Sequence, residues 1–200
     1  MPSESATPLA LEFHPVTPAR RQDLETLFGK NGAYGGCWCM WWRISRSEFG
    51  KQGGQGNREA LKAIVDSGEV PGLLAYSGDQ PLAWCSVAPR EAFPSLDRSR
   101  TLKRIDDEPV WSVVCFFVAR PYRYQGLMVK LLRAAIVYAK EHDAKIVEGY
   151  PVEPGQTNIP PVSSFTGIVS AFKEVGFVEV LRRSERRPIM RYFIKEHYES

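Results

Sequence analysis

Apolar residues recur along this chain with two periods, and the change from one to the other outlines its elements. "LEFHPV" (residues 11–16) alternates and predicts a strand. Thr17 as N-cap and Pro18 at the first helical position then open a helix whose apolar stripe is Leu24, Leu27 and Phe28. A glycine-rich stretch ends it. Residues 43–57, containing "GKQGGQGN", are too rich in glycine and polar side chains for regular structure and predict a mobile lid. "NREALKAIVDSG" (57–68) has the spacing of a short amphipathic helix. After Pro71, "GLLAYSGDQPLAWCSVAPR" reads as two strands around a Ser-Gly-Asp-Gln turn. Residues 91–109 are polar and irregular, and 110–118 form an almost unbroken apolar run that suits a central strand covered on both faces. Leu127, Leu131, Ala135 and Tyr138 recur at helical spacing, "KIVEGYPV" supplies another strand, and a proline-rich loop covers 153–161. "SSFTGIVSAFKEVGF" predicts a serine-initiated helix stopped by Gly176, and "VEVLRRS" with "PIMRYFI" predicts a closing hairpin. No internal repeat or second boundary interrupts this order. It predicts a flexible tail over 1–9 and one domain over 10–200.

The composition supports a single core: 200 residues, 44% hydrophobic. A net charge of +3, from 26 basic and 23 acidic residues, carries no nucleic-acid signature. The local cluster of Arg182, Arg183, Arg186 and Arg187 is interrupted by Glu185 and follows Glu179. No run approaches the roughly 18 apolar residues that span a bilayer, and "MPSESATPLALEF" lacks the basic and apolar regions of a secretory signal, so a cytoplasmic chain is expected. Cys37, Cys39, Cys85 and Cys115 would then be reduced thiols. Cys37 and Cys39 with His14 lack structural-zinc spacing, and no metal is expected.

The stretch that carries chemistry is "VARPYRYQGLMVKLL" (118–132), a buried strand running through a tight turn into a helix. Free backbone N–H groups and the positive end of a helix dipole favour an anion there, and Gly126 lacks the Cβ that would hold a phosphate away. Taken alone, the Arg-x-x-Gly of Arg123 and Gly126 is equally a plain strand-to-helix turn. In context it resembles the acyl-CoA motif of the GCN5-related N-acetyltransferase superfamily, Arg/Gln-x-x-Gly-x-Gly/Ala, with Arg123, Tyr124, Gln125, Gly126, Leu127 and Met128 in the six positions. The likeness extends to the element order and to "AFKEVGFVEV", and looks like a bacterial branch marked by the Cys-Trp-Cys stretch.

That resemblance implies an α/β (α+β) domain whose mixed, mostly antiparallel sheet is flanked by helices and splays centrally to form an acyl-CoA slot. The strand ending in Phe116, Phe117 and Val118 would offer amides to pantetheine and to the thioester carbonyl, and an amine would attack the thioester directly. Acetyl-CoA is the implied co-substrate and a small amine the implied acceptor. Three departures stand out: Met128 replaces the usual Gly or Ala, Phe172 replaces a tyrosine that often protonates the leaving thiolate, and Phe165 replaces an asparagine. Glu148 and Tyr150 share a strand face by period-two alternation and are candidate base and acid, and Ser170 and Thr166 are candidate CoA contacts. "CWCMWWR" falls where the superfamily's acceptor side lies. Trp38, Trp41, Trp42 and Arg43 are therefore expected as acceptor wall, with packing an equal alternative. A non-catalytic acyl-CoA binder, or transfer involving a peptide or an aminoacyl-tRNA, are the competing functions; a homodimer is possible.

Overall fold

In a computed structural model the chain is described over residues 10–154 and 164–195. The expected tail (1–9) and most of the proline-rich loop lie outside the described residues. Seven strands form one sheet in the order β1-β2-β3-β4-β5-β7-β6. They are β1 (Glu12–Pro15), β2 (Leu73–Ser77), β3 (Gln80–Pro89), β4 (Trp111–Val118), β5 (Ile146–Gly149), β6 (Val178–Arg182) and β7 (Pro188–Phe193). All neighbours are antiparallel except β4 and β5, which are parallel. The apolar run of 110–118 is indeed central, with three strands on either side.

One face of the sheet is covered by α1 (Arg21–Phe28), the tryptophan-rich segment, α2 (Arg46–Asp66) and the short α3 (Pro94–Asp97). The other is covered by α4 (Leu127–Lys140) and α5 (Val169–Val175). Leu131, Leu132 and Ala135 of α4 are fully buried, as the helical spacing requires. No helix among the described residues is long and apolar enough to cross a membrane.

Two expectations are corrected. Residues 43–57 are largely helical: Ser45 and Glu48 form a reciprocal capping box (Glu48 N to Ser45 Oγ 3.2 Å, Ser45 N to Glu48 Oε2 2.9 Å) that starts α2. The glycines serve close approach. A Cβ on Gly36 would stand 2.7 Å from Gly54 Cα, and Gly53 at φ 58° kinks the helix so that buried Asn57 donates to the Gly36 carbonyl at 2.9 Å. The last helix starts at Val169 rather than at a serine, because Ile168 is extended and bridges Val152.

Register decides where the sheet opens. Between β3 and β4, Ser86 faces Cys115 while Val87 faces Val113, leaving Val114 as a bulge residue on β4. The bulge bends β4 just where its pairing to β5 ends, at Val113 and Gly149. The Phe172 ring seals the opposite face there: a Cβ on Gly149 would stand 2.1 Å from its Cε1. Gly149→Ala is therefore expected to lower unfolding stability by about 1–3 kcal/mol in urea melts; a loss below about 0.5 kcal/mol would contradict this packing.

Candidate functional site

Beyond Val113 and Gly149 the two parallel strands part, and the β4 edge that faces the wedge no longer pairs with β5. Ala119 N donates to Leu82 O at 2.9 Å, so by strand alternation Phe117 N also faces β3 while Phe116 and Val118 N face the wedge. Phe116 N donates to Phe165 O at 2.6 Å. Phe117 contributes a ring, packed on Phe28 with centroids 5.5 Å apart. Past β4 the turn is held by its own side chains: Arg123 Nε donates to Val118 O and Gln125 Nε2 to Pro121 O, each at 3.0 Å. Tyr124 (φ 63°) and Gly126 (φ 72°) take the left-handed conformation. Among the described residues the amides of Tyr124, Gln125 and Gly126 donate to no backbone carbonyl, and they continue into the unpaired first turn of α4. A Cβ on Gly126 would meet nothing within 4 Å, so the space above these donors is open. The turn therefore fits an anion such as a pyrophosphate. Leu127 is buried and Met128 packs beside it on the inner face of α4, so neither side chain blocks the donors. The Tyr124 side chain stands 96% exposed.

On the α1 side, below the wedge, lies a buried charge network. Glu148 Oε1 accepts from Arg90 Nη1 (2.9 Å) and Tyr150 Oη (2.7 Å), and its Oε2 accepts from Arg191 Nε (2.7 Å). Tyr150 Oη also accepts from Arg90 Nη1 (2.5 Å) and meets Ser112 Oγ at 2.8 Å. Asp97 and Asp106 complete the rim, pairing with Arg90 at 2.7 Å and with Arg191 at 2.6 Å. The alternation of β5 thus brings Glu148 and Tyr150 together, and encloses both: they are 2% and 0% exposed. Burial, with the Glu148 charge beside it, pushes the Tyr150 phenol well above its ordinary pKa. Burial alone would lower the Arg191 pKa, but its hydrogen bonds to Asp106 and Glu148 raise it. Arg191 in turn holds Asp106 below the usual carboxylate range.

The tryptophan-rich segment divides. Trp38 forms part of the wall of an open cleft of about 730 Å³ between the end of α1, the turn at 29–36 and the first half of α2. A Cβ on Gly32 would strike its indole at 2.2 Å, and Arg58, paired with Glu25 at 2.6 Å, lies 5.5 Å from the ring centroid. Trp41 packs edge-on against Phe49 at 5.1 Å and beneath Arg46 at 3.1 Å, and Trp42 is buried. Arg43 is also buried: it sits 4.6 Å over the Phe93 ring and donates to Pro71 O at 3.1 Å, and burial pushes its pKa down to about 10. The four residues therefore do not line one wall. Cys39 lies inward, accepting from Trp84 Nε1 at 3.0 Å and 3.3 Å from Cys115 Sγ, and all four cysteines are free. On α5, Ser170 is exposed, Thr166 precedes the helix fully buried, and Phe172 packs edge-on against Phe116 at 6.2 Å.

Arg90, Arg191 and Ser112 were not singled out by the sequence. A charge inside an apolar strand run, as in "PIMRYFI" opposite "KIVEGYPV", was the available signal for Arg191 and Glu148, which pair in register. Nothing local marked Arg90 for this cluster: beside its nearby partner Asp97, the Glu148 and Tyr150 groups it meets lie 58 and 60 residues away.

A sequence profile of the acetyltransferase (GNAT) family matches residues 38–158. No curated protein sequence matches the chain. Among solved structures, the fold is similar to a GNAT-family acetyltransferase from Listeria monocytogenes 4b F2365 (9% identity, 92% of this chain, 95% of that one, TM-score 0.57). It is also similar to the PaiA N-acetyltransferase of Thermoplasma acidophilum in complex with coenzyme A (13% identity, 92% and 99% coverage, TM-score 0.52). A third is yncA of Salmonella typhimurium with its cofactor acetyl-CoA (12% identity, 94% and 96% coverage, TM-score 0.52). At such identities the likeness is one of fold.

The network makes two expectations. Glu148→Gln leaves two buried guanidinium groups short of a counter-charge and should cost about 3–5 kcal/mol in chemical unfolding; a cost under about 1 kcal/mol would show that the carboxylate is not their anchor. Asp97 and Asp106 have folded pKa values below the ordinary, unfolded one, so the stability they add is present above about pH 4 and is lost as pH falls through their folded values. Acid melts should therefore show stability falling below about pH 4, less steeply in Arg191→Met. Equal slopes would contradict the pairing.

Proposed function

We propose, from the premise that this chain belongs to the acetyltransferase (GNAT) family, that it moves an acetyl group from acetyl-CoA to a primary amine of a small molecule. The observation that carries this reading is continuous donor geometry: wedge-facing amides of Phe116 and Val118 lead directly to the unpaired amides of Tyr124, Gln125 and Gly126 at the head of α4. The pyrophosphate lies on that turn, beside the helix dipole. The pantetheine arm runs down the wedge along β4, and the Phe116 amide receives the thioester carbonyl, where an N–H is best placed for the charge that develops on oxygen. The amine nitrogen attacks the carbonyl carbon, the C–S bond breaks and CoA leaves as thiol; the proton lost by the amine balances the thiolate. No covalent enzyme intermediate is needed.

Rate comes mainly from alignment, which is worth roughly 7–11 kcal/mol when two reactants are held in attack geometry. Glu148 and Tyr150 serve this as positioning residues. Both are sealed inside a network that fixes where β4 and β5 part, so neither exchanges a proton with an incoming amine. The acceptor approaches from the α1 side, across the cleft that Trp38 helps to line. A second reading, an acyl-CoA binder with little turnover, is favoured by one observation: the Phe172 position is wholly apolar and buried.

Release of free CoA thiol, when acetyl-CoA is offered with a pool of small primary amines, separates the two readings: turnover supports the enzyme, and binding without release supports the binder. Gly126→Ala forces a Cβ onto a residue at φ 72°, a strain of about 1 kcal/mol, and should weaken acetyl-CoA binding about fivefold with kcat at saturation nearly unchanged. Unaltered affinity would remove the turn from the donor site.

A further inference from the structure

The wedge contains a piece of the chain itself. Gly167 N donates to Ser164 O at 2.8 Å, closing a turn, and Val152 N to Gly167 O (2.9 Å) and Val169 N to Val152 O (3.1 Å) stitch the segment to the chain beyond β5. On the other lip the Phe165 carbonyl takes the Phe116 amide at 2.6 Å. Residues 164–168 thus bridge the two parted strands and satisfy a donor that would otherwise face the opening unpaired. Their placement is fixed from a third direction. Thr166 is fully buried, and its Oγ1 accepts from Arg187 Nη1 at 3.1 Å, reaching across from the turn between β6 and β7. Burial lowers the Arg187 pKa, in keeping with a guanidinium drawn inward to make this contact.

We propose that Thr166 and Arg187 are positioning residues for the acyl donor: their hydrogen bond seats the Phe165 carbonyl on the Phe116 amide, so that acyl-CoA enters by exchanging that carbonyl for its own. This rests on the acyl-CoA reading of the wedge. The segment is a built-in competitor, and the apparent affinity for acyl-CoA is reduced by the fraction of molecules in which it is seated. The amide stays aligned and dry until the thioester carbonyl replaces its partner. The alternative, Thr166 as a direct hydrogen-bond donor to CoA, predicts the opposite sign when the hydroxyl is removed.

The test measures acetyl-CoA affinity by calorimetry and hydrogen exchange at the Phe116 amide in wild type, Thr166→Val, Arg187→Met and Thr166→Ser. Thr166→Val and Arg187→Met should each speed exchange at Phe116 and bind acetyl-CoA about fivefold tighter, the worth of one net hydrogen bond. Thr166→Ser, which keeps the hydroxyl, should behave as wild type. Unchanged or weaker affinity in folded variants would overturn the proposal. Should the variants fail to fold, wild type alone decides: amides of 164–168 should exchange faster with acetyl-CoA bound, and slower exchange would refute displacement. Wild type that binds no acetyl-CoA overturns the acyl-CoA reading itself, and this proposal with it.

Discussion

Two guanidinium groups, those of Arg90 and Arg191, converge on one buried carboxylate, Glu148, at the level where β4 and β5 stop pairing. Such an arrangement is a costly way to gain stability, because the desolvation of three charges largely offsets their attraction. Its return is geometric. Arg90 directly follows β3, Ser112 belongs to β4, Glu148 to β5 and Arg191 to β7, with Tyr150 just past the last paired residue. Four strands are thereby held in one register at the apex of the wedge. An apolar cluster of equal volume could slide; a set of directed hydrogen bonds cannot do so without leaving a charge uncompensated.

From that apex the functional geometry follows in order. The bulge at Val114 bends β4 away, the next wedge-facing amides belong to Phe116 and Val118, and the turn beyond is clamped to the strand by Arg123 on the Val118 carbonyl. The amides of that turn are placed by backbone, and the Met128 side chain, in a position where the resemblance leads one to expect a smaller residue, packs against the core beside α4. The same logic accounts for Phe172. Its ring fills the space against Gly149 and Gly167 and holds α5 to the opening, a packing role that leaves no polar tip at that position.

Where local pattern and local chemistry agreed, the sequence was a reliable guide. The unbroken apolar run of β4, the 3.6-residue spacing of α4, the left-handed stop at Gly176 and the closing hairpin all appear as read, and so does the pairing of Glu148 with Tyr150. What could not be read was set by tertiary contact. Glycine-rich "GKQGGQGN" looks flexible by composition, yet its glycines permit the approach of Gly36 to Gly54 and the kink that buries Asn57. The resemblance suggested that the tryptophans form an acceptor wall, with packing the alternative; left-handed Trp38 and Cys39 turn the chain so that Trp38, Trp42 and Arg43 are all buried, and of these only Trp38 also borders the cleft. The carboxylate taken as a candidate base was visible; the two arginines that enclose it come from distant parts of the chain.

The proposed transfer requires acetyl-CoA to lie along the β4 edge and the head of α4. Titration of the ¹⁵N-labelled protein with acetyl-CoA, followed through backbone amide resonances, tests this directly. The predicted result is saturable shifts concentrated at Phe116, Val118, Gln125 and Gly126, with the Phe116 resonance moving as its partner changes from the Phe165 carbonyl. Saturable shifts confined to the cleft at 29–36, with the β4 and α4 amides unmoved, would contradict it.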